Sequence, residues 1–225
     1  ADVLAVPVLD SEERLVGMVT ADDAMVVLEA EETEDLALHG ATNPLGRPYL
    51  SASVLGLARS RAMWLLVLIL AAALTVNVLN LFEATLADVV TLALFIPLLI
   101  GTGGNSGAQA STVVVRAMAV GEGRFGDLPR GVWREARVGV MLGAMLAAAA
   151  FVPVALLFDT DTGIIIAATL LAICAWATFV GSMLPMLAKR VGVDPAVVSA
   201  PLVTTLVDAT GLIIYFLIAR LVLGL

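Results

Sequence analysis

The sequence predicts an all-α integral membrane protein with five transmembrane helices per chain, preceded by a short α/β segment. Hydrophobic residues make up 60% of the 225 positions and charged residues only 14%, against about 25% charged in an average soluble domain. The apolar residues form five long runs, each meeting the requirement of about 20 residues for a helix that crosses a bilayer. Many of the acidic residues lie before residue 36. An acidic soluble segment is therefore expected to precede a membrane domain.

The first 35 residues read as a hairpin followed by helix. Two short strands, Ala5 to Leu9 and Leu15 to Val19, flank a turn, and a helix is predicted from Thr20 to Leu28. A second, acidic helix is predicted from Leu28 toward the membrane. The acidic charge argues against nucleic acid as a partner and suits a divalent cation, although a solvated helix face explains it equally well.

The five predicted spans are Met63 to Phe82, Val89 to Met118, Val138 to Phe158, Gly163 to Ala188, and Ala196 to Leu223. The connections on one side hold the basic residues: Arg47, Arg59 and Arg61 before the first span, Arg124, Arg130, Arg134 and Arg137 after the second, and Lys189 and Arg190 after the fourth. In the opposite connections the only charged residues are acidic: Glu83, Asp88, Asp159 and Asp161. Because basic loops stay in the cytoplasm, the N-terminus is predicted on the cytoplasmic side of the cell membrane and the C-terminus on the outer side.

The second span contains many small and polar residues. Pro97 is followed by a glycine-rich stretch, residues 101–109, which is predicted to interrupt the helix. Gly104, Asn105 and Thr112 are candidates to line a polar path through the membrane. Close helix packing is the alternative interpretation of the same residues.

The last span contains Asp208, the only carboxylate within any of the five apolar runs. A charge at that depth costs about 2.5–3.5 kcal/mol on insertion scales, so it persists where it meets water or a cation. Thr204 and Gly211 fall on the same helical face as Asp208, and Pro201 is expected to free a backbone carbonyl there. Asp194 and Pro195 have the pattern of a helix start.

One carboxylate per chain is a weak site for a divalent cation, which usually takes more than one. A symmetric dimer would bring two Asp208 side chains to one axis. Mg²⁺ loses its waters reluctantly, so it would pass such a site largely hydrated. The lone Cys174 excludes an intrachain disulfide, and the lone His39 is too isolated to form a metal site by itself.

With these motifs in place, the chain resembles the MgtE family of magnesium channels. The resemblance is carried by Pro97 to Gly107 with Gln109, and by Asp194 to Ala196 continuing through Pro201, Thr204 and Asp208 to Gly211. It implies a homodimer in membrane lipid, with Asp208 as the ion site of an axial pore lined by the second and fifth helices at Gly104, Asn105, Thr112, Thr204 and Gly211. It also implies regulatory sites for cytosolic Mg²⁺ at Asp23, Glu31, Glu34, Asp35 and Asp194.

The resemblance further implies three regions. Residues 1–28 resemble the end of a CBS module, residues 29–58 a connecting plug helix and linker, and residues 59–225 the pore domain. The predicted function is that of a Mg²⁺-selective channel gated by cytosolic Mg²⁺, and not that of an enzyme. A secondary transporter using Asp208 as a coupled ion site is one alternative. An intramembrane aspartyl hydrolase, with two carboxylates paired in a dimer, is the other.

Overall fold

The computed structural model describes residues 4–45, 48–120 and 128–225, and the side chain of Leu128 is not described. Arg47 and Arg124, which contribute to the predicted orientation, lie outside these ranges. The hairpin is confirmed: β1 (Ala5–Leu9) pairs antiparallel with β2 (Leu15–Thr20), with Ala5 opposite Thr20. Its apolar side chains are largely exposed, because two strands have no second layer to cover them.

A single helix, α1 (Ala21–His39), follows the hairpin, where the sequence predicted two helices meeting at Leu28. Thr20 and Asp23 form a capping box, in which the Asp23 N–H donates to Thr20 Oγ1 and the Thr20 N–H donates to Asp23 Oδ2. No glycine or proline interrupts residues 21–39, so nothing stops the helix at Leu28. It ends instead at Gly40.

Among the described residues, five helices are long and apolar enough to cross a membrane, which confirms the predicted fold class. These helices are α2 (Val54–Leu81), α4 (Ile96–Ala119), α5 (Leu128–Leu157), α6 (Thr160–Arg190) and α7 (Ala200–Leu223). A short helix, α3 (Glu83–Asp88), and a 3₁₀ segment, Val90–Phe95, connect α2 to α4. Further 3₁₀ turns occur at Tyr49–Ser51 and Pro195–Val197. The chain is therefore a multi-pass membrane protein.

The glycine-rich stretch does not interrupt the second span, contrary to prediction. α4 is continuous through residues 101–109, and the irregular part is the 3₁₀ segment before it. Pro97 lies in the first turn of α4 and Pro201 in the first turn of α7, where the missing N–H is not needed. The prediction that Pro201 frees a backbone carbonyl inside the helix is therefore wrong.

α6 lies at the centre of the bundle and packs against α4, α5 and α7. Ile165, Ile166 and Ile173 on α6 are fully buried, together with Leu212 and Phe216 on α7. α2 packs against α7, and most of its own surface is exposed. The core thus packs α4 and α7 against α6, and the two helices also pack against each other.

A glycine pair sets the distance between α4 and α6. A Cβ atom added to Gly181 on α6 would overlap the carbonyl oxygen of Gly107 on α4. Residues larger than glycine would therefore push the two helices apart. This contact fixes which face of α4 turns toward α7.

Candidate functional site

The carboxylate of Asp208 lies between α7 and α4. A Cβ atom added to Gly104 would stand 3.4 Å from Asp208 Oδ1 and 2.6 Å from Thr204 Cγ2. Gly104 thus allows α4 to approach this part of α7 closely. Within the described residues, Asp208 Oδ1 is buried and has no hydrogen-bond partner. Since an unpaired buried carboxylate oxygen is costly, a water or a cation is the expected partner.

The polar residues of α4 divide between two sides of the helix. Gly103, Gly104 and Gly107 are buried against α6 and α7. Asn105 and Thr112 are exposed on another side, where they line a cavity of about 420 Å³ together with Ala108, Gln109 and Val113. We call this second side the polar face of α4. Exposed amides at membrane depth require water or protein to cover them.

The two remaining path candidates occupy different surroundings. Thr204 lies beside Gly104, and its hydroxyl donates to the Ala200 carbonyl at 2.9 Å. Gly211 is buried and faces Ile173 of α6, where an added Cβ would lie 3.4 Å from the nearest side-chain carbon. Thr204 is therefore close to Asp208, whereas Gly211 serves packing against α6 in this chain.

Asp35 and Asp194 come together at one end of the bundle. α1 packs against the turn Pro195–Val197, and both carboxylates line a small cavity next to Lys189. Burial raises the pKa of Asp35, and the charges of Asp194 and Glu31 raise it further. The Asp194 carboxylate also accepts a hydrogen bond from the Ala196 N–H at 2.8 Å. Asp194 thereby caps the 3₁₀ turn Pro195–Val197, and α7 begins only after Ser199. Two mutually repelling carboxylates suit a divalent cation.

The other acidic candidates are spread along α1. Asp23 is twelve residues from Asp35, about 18 Å along a helix, and hydrogen bonds from Thr20 lower its pKa. Glu34 lines a groove between α1, the linker and α2. Within the described ranges, no three His, Cys, Asp or Glu side chains converge on a point where they could hold a metal. The structure thus brings Asp35 and Asp194 together, with Glu31 nearby, and leaves Asp23 apart.

Sequence reasoning missed a direct contact between α1 and the polar face of α4. His39 Nε2 lies 2.8 Å from Thr112 Oγ1, and Glu32 Oε1 lies 3.7 Å from Arg116 Nη1. A cavity of about 350 Å³ lies between the two helices at this contact. No motif in the sequence links residues 73 positions apart, and a lone histidine gave no signal of its own.

Comparison with known proteins places this geometry in a family context. The family model of MgtE, described as a divalent cation transporter, matches residues 96–218, which include Gly104, Asp194 and Asp208. The chain is 42% identical over 225 residues to the magnesium transporter MgtE of Thermus thermophilus. It is 33% identical to the magnesium transporters MgtE of Enterococcus faecalis and Bacillus subtilis.

These matches cover 97–99% of this chain and 48–49% of each relative. The chain therefore spans about half the length of the curated relatives it matches. The matched part of the chain includes α1 and all five membrane helices.

Proposed function

The chain belongs to the MgtE family of divalent cation transporters, and on that premise we propose that it conducts Mg²⁺ across the cell membrane. The observation that carries the proposal is the buried Oδ1 of Asp208, which has no hydrogen-bond partner among the described residues, next to the close approach of α4 at Gly104. Mg²⁺ is the transported substrate, and Asp208 is its binding residue in the pore. Family membership is at odds with the hydrolase alternative, because the family consists of transporters.

The magnitude of the interaction favours a cation at Asp208. A divalent ion about 5 Å from a carboxylate gains roughly 7 kcal/mol at an effective dielectric constant of 20. That exceeds the insertion cost of the charge, about 2.5–3.5 kcal/mol. At this separation an ion keeps its inner waters, which suits Mg²⁺ because it dehydrates reluctantly.

We assign the pore to the twofold axis of a homodimer, between α4 and α7 of the two chains. Two arguments support this assignment. A second chain would supply the second Asp208 carboxylate that hard divalent cations generally require. It would also enclose the polar faces of both α4 helices around water, so that Asn105 and Gln109 are not left in lipid.

α1 is proposed to regulate this pore from the cytoplasm. The basic connections predict that the end of the bundle next to α1 is cytoplasmic. Mg²⁺ bound between Asp35 and Asp194 would relieve their repulsion and hold α1 against the bundle. Because α1 also contacts Thr112 on the polar face of α4, α1 held in this position would obstruct the inner entrance of the pore. Cytosolic Mg²⁺ would thus close the channel.

Mg²⁺ flux into liposomes that contain the purified protein tests the proposal. We expect uptake driven by a Mg²⁺ gradient alone, with equal Na⁺ concentration and pH on both sides, and unitary currents in planar bilayers. Liposomes without protein provide the baseline. Uptake that requires a Na⁺ or proton gradient would favour a coupled secondary transporter, and absence of uptake under all these conditions would refute Mg²⁺ transport.

A further inference from the structure

The contact between His39 and Thr112 carries a consequence for regulation. We propose that His39 is a proton-sensitive latch, which holds α1 on the polar face of α4 while its imidazole is neutral and releases α1 when the imidazole is protonated. This inference rests on the proposed function for its effect on ion flux. The contact itself is independent of that function, since it joins two described helices at 2.8 Å.

The hydrogen bonds around Thr112 determine which nitrogen of His39 carries the proton. The Thr112 hydroxyl has one proton, and it donates that proton to the Ala108 carbonyl at 2.9 Å. Its oxygen must therefore accept from His39, so Nε2 is the N–H donor. Nδ1 is then the bare nitrogen of the neutral ring, and it is buried without a partner among the described residues.

Protonation would place a charge at this buried nitrogen. Burial lowers the pKa of His39 from its usual 6.5, because desolvation disfavours the imidazolium. A base whose pKa is lowered by docking binds its proton more tightly in the undocked state. Docking of α1 is therefore undisturbed above about pH 6.5 and weakens as the pH falls through that value.

The charged groups on the elements next to His39 also affect how the docking of α1 depends on pH. Glu32 and Asp35 line the cavity from α1, Arg116 lines it from α4, and Asp194 and Lys189 lie beyond Asp35. Protonation of Asp35 has the opposite sign, because its pKa is raised where α1 is docked. Because the two groups act in opposite directions, a loss of docking as the pH falls identifies His39, whereas Asp35 alone would strengthen docking.

Two measurements test the latch, and in the first His39 gives an unambiguous signal because it is the only histidine of the sequence. The first is ¹⁵N NMR of histidine-labelled protein in nanodiscs. We expect the Nε2–H tautomer at pH 8 and a pKa below 6.5. An Nδ1–H tautomer, or a pKa at or above 6.5, would overturn the proposal.

The second measurement follows the position of α1. Spin labels at Val27→Cys and Val191→Cys, both exposed sites, in a Cys174→Ala background report the distance from α1 to the end of α6. In the labelled protein that retains His39, we expect the ratio of undocked to docked α1 to rise as the pH falls from about 8 to 5. The rise should be roughly tenfold for each unit by which docking lowers the pKa of His39.

The variant His39→Gln retains a donor for Thr112 but cannot titrate, so its distances should not change over this range. Glu32→Gln, which removes an acid from the same side of α1, should keep a response near the same pH. A pH response of equal size in His39→Gln would overturn the latch. Absence of Mg²⁺ flux at any pH, together with a distance response that His39→Gln abolishes, would refute the proposed transport function and leave the latch intact.

Discussion

Replacing Gly181 by alanine tests the close approach of α6 to α4, on which the position of the polar face of α4 depends. The added Cβ would overlap the carbonyl oxygen of Gly107 and lie 3.0 Å from its carbonyl carbon. Ordinary carbon contacts are about 3.5–4.0 Å. The obstacle is backbone, so no side chain can rotate away, and the two helices must move apart.

The net free-energy change follows from two opposing effects. Overpacking of this kind costs about 1–3 kcal/mol, and the backbone clash favours the upper end of that range. Alanine in a helix interior gains up to about 1 kcal/mol over glycine. We therefore expect Gly181→Ala to destabilise the protein by about 1–2 kcal/mol and to reduce Mg²⁺ flux, because α4 is displaced relative to Asp208.

Gly101→Ala is the matched control, because it lies on α4 and an added Cβ meets nothing within 4 Å among the described residues. This variant should gain the stability that alanine has over glycine in a helix, without the clash. Thermal unfolding in detergent without Mg²⁺ compares the two variants with the parent protein. A melting temperature of Gly181→Ala equal to that of Gly101→Ala would refute the packing argument.

Three further predictions concern the site, α1 and orientation. Gly104→Ala should lower Mg²⁺ flux, since its Cβ would stand 2.6 Å from a Thr204 carbon and separate α4 from α7; normal flux in a folded variant would contradict this. An Asp35→Asn channel should close more readily without Mg²⁺ and respond less to cytosolic Mg²⁺, because the charged Asp35 carboxylate opposes docking of α1 in the absence of a cation. Flux measured against cytosolic Mg²⁺ tests this, and an unchanged response would contradict it. A cysteine at Arg134 in a Cys174→Ala background should react with impermeant reagents only from the cytoplasm, and labelling of intact cells from outside would reverse the topology.

The helices that cross the membrane could be predicted because length and apolar composition decide them locally. The five spans, the hairpin and the start of α1 at the Thr20–Asp23 capping box all follow from patterns within about 30 residues. The continuity of α4 could not be predicted in this way. Its glycines favour a break in isolation, but three of them, Gly103, Gly104 and Gly107, are packed against α6 and α7, and no local pattern shows that packing.

The candidate site was accessible to sequence reasoning only in part. Asp208 stood out because a carboxylate in an apolar run needs a specific reason, and the structure adds its proximity to Gly104. The separation of Asp23 from Asp35 follows from helix geometry once α1 is one helix. The contact of His39 with Thr112 depends on how α1 docks on the bundle, which no local pattern encodes.

Mg²⁺ uptake by Asp208→Asn in proteoliposomes tests the central claim most directly. Asparagine keeps the size of the side chain but removes one negative charge from each chain, so we expect uptake to fall at least about tenfold, which corresponds to about 1.4 kcal/mol. Asp161→Asn, a similar change in the first turn of α6, is the matched control and should transport Mg²⁺ normally. Uptake at the parent rate by a well-folded Asp208→Asn protein would show that this carboxylate does not bind the transported ion.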